Sequence, residues 1–135
     1  MILGLGSDIV HINRIEELIL RFGERFITRT FTKDEIEYSK KFGANNSIGK
    51  SSYFAKRFAA KEAFAKALGT GFRNGLRFVH IGVVNDAFGK PNLILTDKAL
   101  KLLQDMTTNG KIPKSHITLC DDYPIAQATV IISSD

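Results

Sequence analysis

One cysteine, Cys120, stands in 135 residues, so no intrachain disulfide can form and the framework of a small oxidised scaffold is excluded. Three histidines beside that single thiol are too few to suggest a Cys/His zinc site. No run approaches the roughly 20 apolar residues that a bilayer-spanning helix needs. The opening Met1-Ile2-Leu3-Gly4 has neither the basic stretch nor the small-residue cleavage site of a secretory leader. The sequence therefore reads as mature protein, and a cytoplasmic location is expected. Internal repeats, low-complexity tracts and linker-like segments are missing as well, which leaves residues 1–135 as one domain. A chain of this length buries roughly two thirds of the surface it exposes when unfolded, enough for a core.

Charge is plentiful but uneven. The formal net charge is +5, and residues 1–77 carry 14 Lys/Arg against 8 Asp/Glu whereas residues 78–135 carry 5 against 6. The first half is expected to face something anionic: nucleic acid, a phosphorylated small molecule or an acidic protein.

Hydrophobic period and punctuation predict an α+β domain. Ile2 to Gly6 reads as a buried strand whose two glycines admit the close approach of a backbone or ligand, with Asp8 following its end. Asn13 to Phe26 reads as one amphipathic helix, with Ile15, Leu18, Ile19, Phe22 and Phe26 at helical spacing and Arg14, Arg21 and Arg25 in one basic stripe. Thr32-Lys33-Asp34-Glu35 has the form of a capping box and opens a second helix through Lys41. Gly43 to Ser52 reads as a flexible loop, after which Ser51 or Ser52 caps a long helix that runs to Leu68 and stops at Gly69. Strands are expected over Arg77–Val84 and Asn92–Leu95, then a helix from Thr96-Asp97 to Met106, then strands over Ser115–Cys120 and Ala126–Ser133. Cys120 is expected as a buried strand residue, and His11 and His80 as local hydrogen-bonding groups.

The long helix holds the most informative pattern. Glu62 and Lys66 lie one turn apart on a face bordered by Ala55, Ala59 and Ala63, beside an apolar stripe of Phe54, Phe58, Ala65 and Leu68. Two readings fit the pair. One is an ordinary i,i+4 ion pair worth about 0.2 to 0.5 kcal/mol to the helix. The other makes Glu62 a hard oxygen ligand for Mg²⁺ and Lys66 a cation for a phosphate, which requires a second carboxylate from elsewhere. Asp8 is the candidate, with helix N-capping as its alternative role.

Several blocks together resemble a known family. They are Gly4-Leu5-Gly6-Ser7-Asp8-Ile9-Val10, Arg57-Phe58-Ala59-Ala60-Lys61-Glu62-Ala63, Lys66 to Leu76, Gly89-Lys90-Pro91, and His116-Ile117-Thr118-Leu119 followed by Ala126 to Ile132. In this order they resemble the holo-(acyl-carrier-protein) synthases, the small 4'-phosphopantetheinyl transferases of bacterial fatty-acid synthesis. The resemblance implies an antiparallel sheet packed against a long central helix and shorter helices. It also implies transfer of phosphopantetheine from coenzyme A to a serine hydroxyl of an acyl carrier protein, releasing adenosine 3',5'-bisphosphate, with Mg²⁺ as cofactor.

Carried over residue by residue, the resemblance makes Asp8 and Glu62 the metal ligands and Lys66 a contact of the pyrophosphate. Arg57, Phe58, Gly69, Thr70 and Gly71 are expected in the coenzyme A pocket, where glycines let backbone N–H groups approach phosphate. Gly89-Lys90-Pro91 is expected at the nucleotide end, or else as a tight turn before a strand. The base that takes the serine proton is a water on the metal or Glu62, with Glu35 a third candidate better explained by its capping box. Arg14, Arg21 and Arg25 are expected to dock the acidic carrier protein, the alternative being a solvated helix face. The family also implies a homotrimer with active sites shared between neighbouring subunits. Asp121 stands where many members carry a histidine, and the Gly43 to Ser52 stretch, with Lys50, is slightly long for the pattern. A basic nucleic-acid-binding domain is the reading from another class. It calls for aromatic or basic residues on an exposed sheet face, whereas these strands are mostly apolar and the basic residues mostly helical.

Overall fold

The computed structural model describes residues 1–135 and is built around one helix. In chain order the elements are β1 (Ile2–His11), α1 (Ile12–Phe22), α2 (Glu24–Thr30), α3 (Lys33–Ser39), α4 (Ser47–Leu68), β2 (Ile81–Asn85), β3 (Pro91–Leu95), α5 (Asp97–Gln104), β4 (Lys114–Asp122) and β5 (Ile125–Ser133). Strands β1, β5 and β4 form one antiparallel sheet in that order, and β2 and β3 form a second. Of the 22 residues of α4, 14 are buried, so it is enclosed by other elements rather than lying on them with one apolar stripe.

What lets α4 sink onto the larger sheet is the absence of a side chain at two positions of β1, Gly4 and Gly6. A Cβ at Gly4 would lie 2.0 Å from the Ala67 carbonyl oxygen, and one at Gly6 would lie 2.0 Å from that of Ala63. Strand alternation then decides which residues share this face. Gly4, Gly6, Asp8 and Val10 pair with Ile132, Val130, Ala128 and Ala126 of β5, all four of which are buried. The opposite face carries Leu5, Ser7 and Ile9 beside Ile131, Thr129 and Gln127. Nothing in the chain covers it, and Leu5 and Ile9 are each 65% exposed. Cys120 pairs with Gln127 on this outer face and is exposed, against the expectation of a buried thiol. No Phe, Tyr or Trp of β1, β4 or β5 lies on the outer face; its only rings from these strands are the imidazoles of His11 and His116.

Several boundaries differ from expectation. β1 continues through Asp8 to His11 because β5 supplies a partner along its whole length, so Asp8 lies within a strand and caps no helix. Gly23, at φ 57°, breaks the first helix into α1 and α2. α4 starts at Ser47, capped by the Asn46 side chain accepting from the Gly49 N–H at 3.0 Å, while Ser51 and Ser52 are buried inside it. Phe78–His80 is a 3₁₀ turn rather than strand. The capping box at Thr32 and Glu35 and the left-handed stop at Gly69 are as expected.

Candidate active site

α4 carries polar side chains on two opposite faces. Arg57 and Glu62 are five positions apart, about 140° around the helix, so groups beside one are remote from groups beside the other.

On the first face β1 brings Asp8 to Lys66. The Lys66 ammonium donates to Asp8 Oδ1 at 3.0 Å and to the Ser7 carbonyl at 3.0 Å. Its side chain is 53% exposed and that of Asp8 only 17%, so the lysine can turn toward a ligand while the aspartate stays. Lys66 makes no ion pair with Glu62, which removes the simple i,i+4 reading. Burial, and after it the negative charge of Asp8, push the Glu62 carboxyl above its ordinary range, with Lys66 and Arg14 pulling it back. Two carboxylates whose repulsion is only partly offset by ammonium and guanidinium groups could together hold a divalent cation through hard oxygens; no third His, Cys, Asp or Glu joins them. Directly after Lys66 the chain wraps the end of the helix: the Gly69 N–H donates to the Lys66 carbonyl at 3.0 Å and the Gly71 N–H to that of Ala65 at 3.2 Å. Positive φ values of 83° and 63° at these glycines allow that wrap. The Thr70 hydroxyl donates to the Gly71 carbonyl.

The second face carries Tyr53, Arg57 and Lys61 one turn apart. Arg57 is buried, its guanidinium lies 4.1 Å over the Tyr53 ring and donates to Asn85 Oδ1 at 3.3 Å, and its Nε has no partner. It borders a polar cavity of about 400 Å³ that also includes Lys41, Lys56, Asn85 and Asp121. A buried guanidinium short of an acceptor, with two lysines beside it, suits an anion. Asp121 pairs with Lys56 at 3.1 Å. Sequence reasoning had no role for Lys56, Lys41, Asn85 or Tyr53; the recurrence of Tyr53, Arg57 and Lys61 every fourth residue is the signal that points to a second polar face.

The remaining candidates are placed as follows. Phe58 is buried against Phe78 in a near-parallel stack at 5.4 Å, with Arg14 over its ring at 5.8 Å. Gly89, Lys90 and Pro91 close the β2–β3 hairpin, where the Asp86 carboxylate accepts from the Phe88 and Lys90 N–H groups, each at 2.9 Å. Arg14 and Arg21 are exposed on α1, but Arg25 belongs to α2, so the three do not form one helical stripe. Glu35 is withdrawn as a base: it is 1% exposed and both its oxygens are engaged inside the protein.

Residues 4–128 match the family model described as the 4'-phosphopantetheinyl transferase superfamily. The chain belongs to this superfamily. Within the 4'-phosphopantetheinyl transferases, a holo-(acyl-carrier-protein) synthase of Agrobacterium fabrum is 50% identical over 134 residues, covering 99% of this chain and 96% of that protein. The crystal structure of a holo-(acyl-carrier-protein) synthase from Neisseria meningitidis superposes with a TM-score of 0.84 at 37% identity, covering 99% of this chain and 100% of that one. A synthase from Bacillus anthracis, solved in complex with CoA (3',5'-ADP), superposes at 0.78 with 32% identity over 100% of this chain and 99% of that one. These transferases share the α+β architecture with the long central helix described above.

Proposed function

We propose that this chain transfers the 4'-phosphopantetheinyl group of coenzyme A to a serine hydroxyl of an apo acyl carrier protein and releases adenosine 3',5'-bisphosphate. The observation that carries the reading is the meeting of Asp8, Glu62 and Lys66 across β1 and α4 in a chain matching the transferase family along nearly its whole length. The serine oxygen attacks the phosphorus that bears pantetheine, and the bond from that phosphorus to the bridging oxygen of the pyrophosphate breaks. Lys66 holds the pyrophosphate as a mobile cation and meets the charge that grows on the departing oxygen. The serine proton passes to a carboxylate oxygen of Glu62, directly or by way of a water. Asp8 and Glu62 are the residues that would hold Mg²⁺, which when bound neutralises charge on the pyrophosphate. The Gly69 and Gly71 N–H groups stay engaged with the Lys66 and Ala65 carbonyls, so Lys66 itself is the donor to the pyrophosphate here, and a cytoplasmic protein of one domain suits a chain with no helix long and apolar enough to cross a membrane.

The nucleotide end of coenzyme A is assigned to Arg57 and the Gly89–Pro91 hairpin. Because Arg57 lies on the far side of α4 from Glu62, one coenzyme A bridging both groups draws them from two copies of the chain. The uncovered outer face of the larger sheet supports a homotrimer that would bring such copies together. Leu5→Asp is expected to reduce the mass seen by light scattering to that of one chain and to abolish transfer; a variant still assembled and active would remove this sheet face from the interface. Arg57→Ala and Glu62→Ala, each inactive alone, are expected to regain transfer when their subunits are exchanged, and no recovery would place both groups in one copy.

Arg14 lies beside the site, close enough to Glu62 to lower its pKa, and the exposed Arg21 and Arg25 extend the positive surface onto the two helices. We assign this surface to the acidic carrier protein. Arg21→Glu is expected to raise KM for the carrier by about tenfold at low ionic strength, with the penalty shrinking as salt is added and KM for coenzyme A unchanged. A salt-independent KM would return these arginines to a solvated surface.

The overall test is incubation with coenzyme A, Mg²⁺ and an apo carrier protein, with the carrier's mass as readout. A gain of one phosphopantetheine is expected, and no gain with any of several carriers overturns the reading.

A further inference from the structure

One fully buried ion pair has no part in the chemistry above. Lys61 is 0% and Glu35 1% exposed. The Lys61 ammonium donates to Glu35 Oε1 at 2.7 Å and to the Ile81 carbonyl. Glu35 Oε1 also accepts from the Thr32 N–H at 2.9 Å, and its Oε2 accepts from the Val83 N–H at 3.0 Å. Ile81 and Val83 belong to β2, whose only strand neighbour is β3. The two side chains therefore take backbone groups that a third strand would otherwise satisfy. The Glu35 carbonyl accepts in turn from the Tyr53 hydroxyl at 2.9 Å.

Stability alone is a poor account of this arrangement, since a buried ion pair can often be replaced by apolar residues of similar volume without loss. Geometry is a better one. Tyr53, Arg57 and Lys61 form a row along α4, and the first and third are held by Glu35. The middle one, Arg57, is held by Asn85, the last residue of the strand that Glu35 and Lys61 grip two and four residues earlier. A slip of β2 along α4 would carry Asn85 away from Arg57 and displace Gly89–Pro91 with it.

We propose that Lys61 and Glu35 are positioning residues for the transfer: they set the register of β2 against α4, so that Arg57, Asn85 and the hairpin present a preformed site to the nucleotide end of coenzyme A. This rests on the assignment of that end to Arg57 made above. The test uses full-length Lys61→Met, Glu35→Gln and the combined variant, the last removing both charges at nearly constant volume. For each, KM for coenzyme A, KM for the carrier, kcat and the Kd of adenosine 3',5'-bisphosphate by calorimetry are measured, with near-UV circular dichroism as the check on folding. The combined variant is expected to fold and to weaken both KM for coenzyme A and the Kd of the bisphosphate by about tenfold, as a small misplacement of binding groups does, while KM for the carrier stays within about twofold. If the melting temperature drops but KM for coenzyme A and the bisphosphate Kd stay at wild-type values, the pair is structural only and the proposal is overturned. Glu35→Gln, which keeps an acceptor for the Thr32 N–H, supplies the same comparison should Lys61→Met not fold. A wild-type protein that fails to bind the bisphosphate overturns the coenzyme A assignment itself; equal binding by wild type and variants overturns only the positioning role.

Discussion

Glu62→Gln is expected to lower transfer by about a thousandfold while leaving the protein at least as resistant to urea as the parent. Both halves follow from the same surroundings. The carboxylate is half-buried and faces the charge of Asp8, and these causes, in that order, raise its pKa. A carboxyl whose folded value lies above its unfolded one binds its proton more tightly in the folded chain. Stability therefore falls as the pH rises from the ordinary carboxylate range through the raised value. The amide escapes that loss but cannot serve as a charged oxygen ligand or take a proton. Asp8→Asn is expected to lose activity to a similar degree, with Lys66 losing its ion pair while it keeps the Ser7 carbonyl. The measurements are carrier mass gain over time, urea denaturation, and calorimetric titration with Mg²⁺, which should bind the parent and neither variant. If either variant keeps more than about a tenth of the activity, the assignment of these carboxylates to the metal is wrong.

The second large effect is on stability. Gly6→Ala is expected to cost about 3 kcal/mol or more, because its Cβ would meet the Ala63 carbonyl oxygen at 2.0 Å and the Ala67 nitrogen at 2.6 Å. Both are backbone atoms of a helix and cannot rotate away, so β1 and α4 must separate. Asp8, two residues along the strand, would move with β1, and whatever fraction remains folded should transfer poorly. Gly49→Ala is the contrast. There the new Cβ meets only the Asn46 side chain, at 2.6 Å, and loss of that cap, about 1 kcal/mol, is offset by the better helix propensity of alanine, also about 1 kcal/mol. Denaturant midpoints of the two variants should differ widely; similar midpoints would mean that the close strand-to-helix contact at Gly6 does not govern packing.

That contact also explains how far the sequence could be read. Two glycines in a short strand announce a close neighbour, and the Asp8 block and the Glu62 block each carry a recognisable pattern, so the approach of Asp8 to the Glu62 and Lys66 face of α4 was legible. Local signals with a local cause were legible too, such as the Thr32–Glu35 box and the Gly69 stop. The start of α4 was not, because Gly49 imitates a loop and the true cap, Asn46, sits among other polar residues. The end of β1 was hidden because its partner β5 lies more than a hundred positions away. Glu35 was half legible: its reach to the Thr32 N–H is local, but its bonds to Lys61 and Val83 span 26 and 48 positions, and no spacing rule contains them. The same holds for Lys56 with Asp121.

The two-faced α4 has a genetic consequence. If each copy lends its Glu62 face to one site and its Arg57 face to another, a chain defective on both faces spoils two sites in any trimer it enters. A single such subunit would leave one working site of the three. Co-expressed with the wild-type chain, a variant lacking both Arg57 and Glu62 would therefore act as a dominant inhibitor, in proportion to how freely the subunits mix.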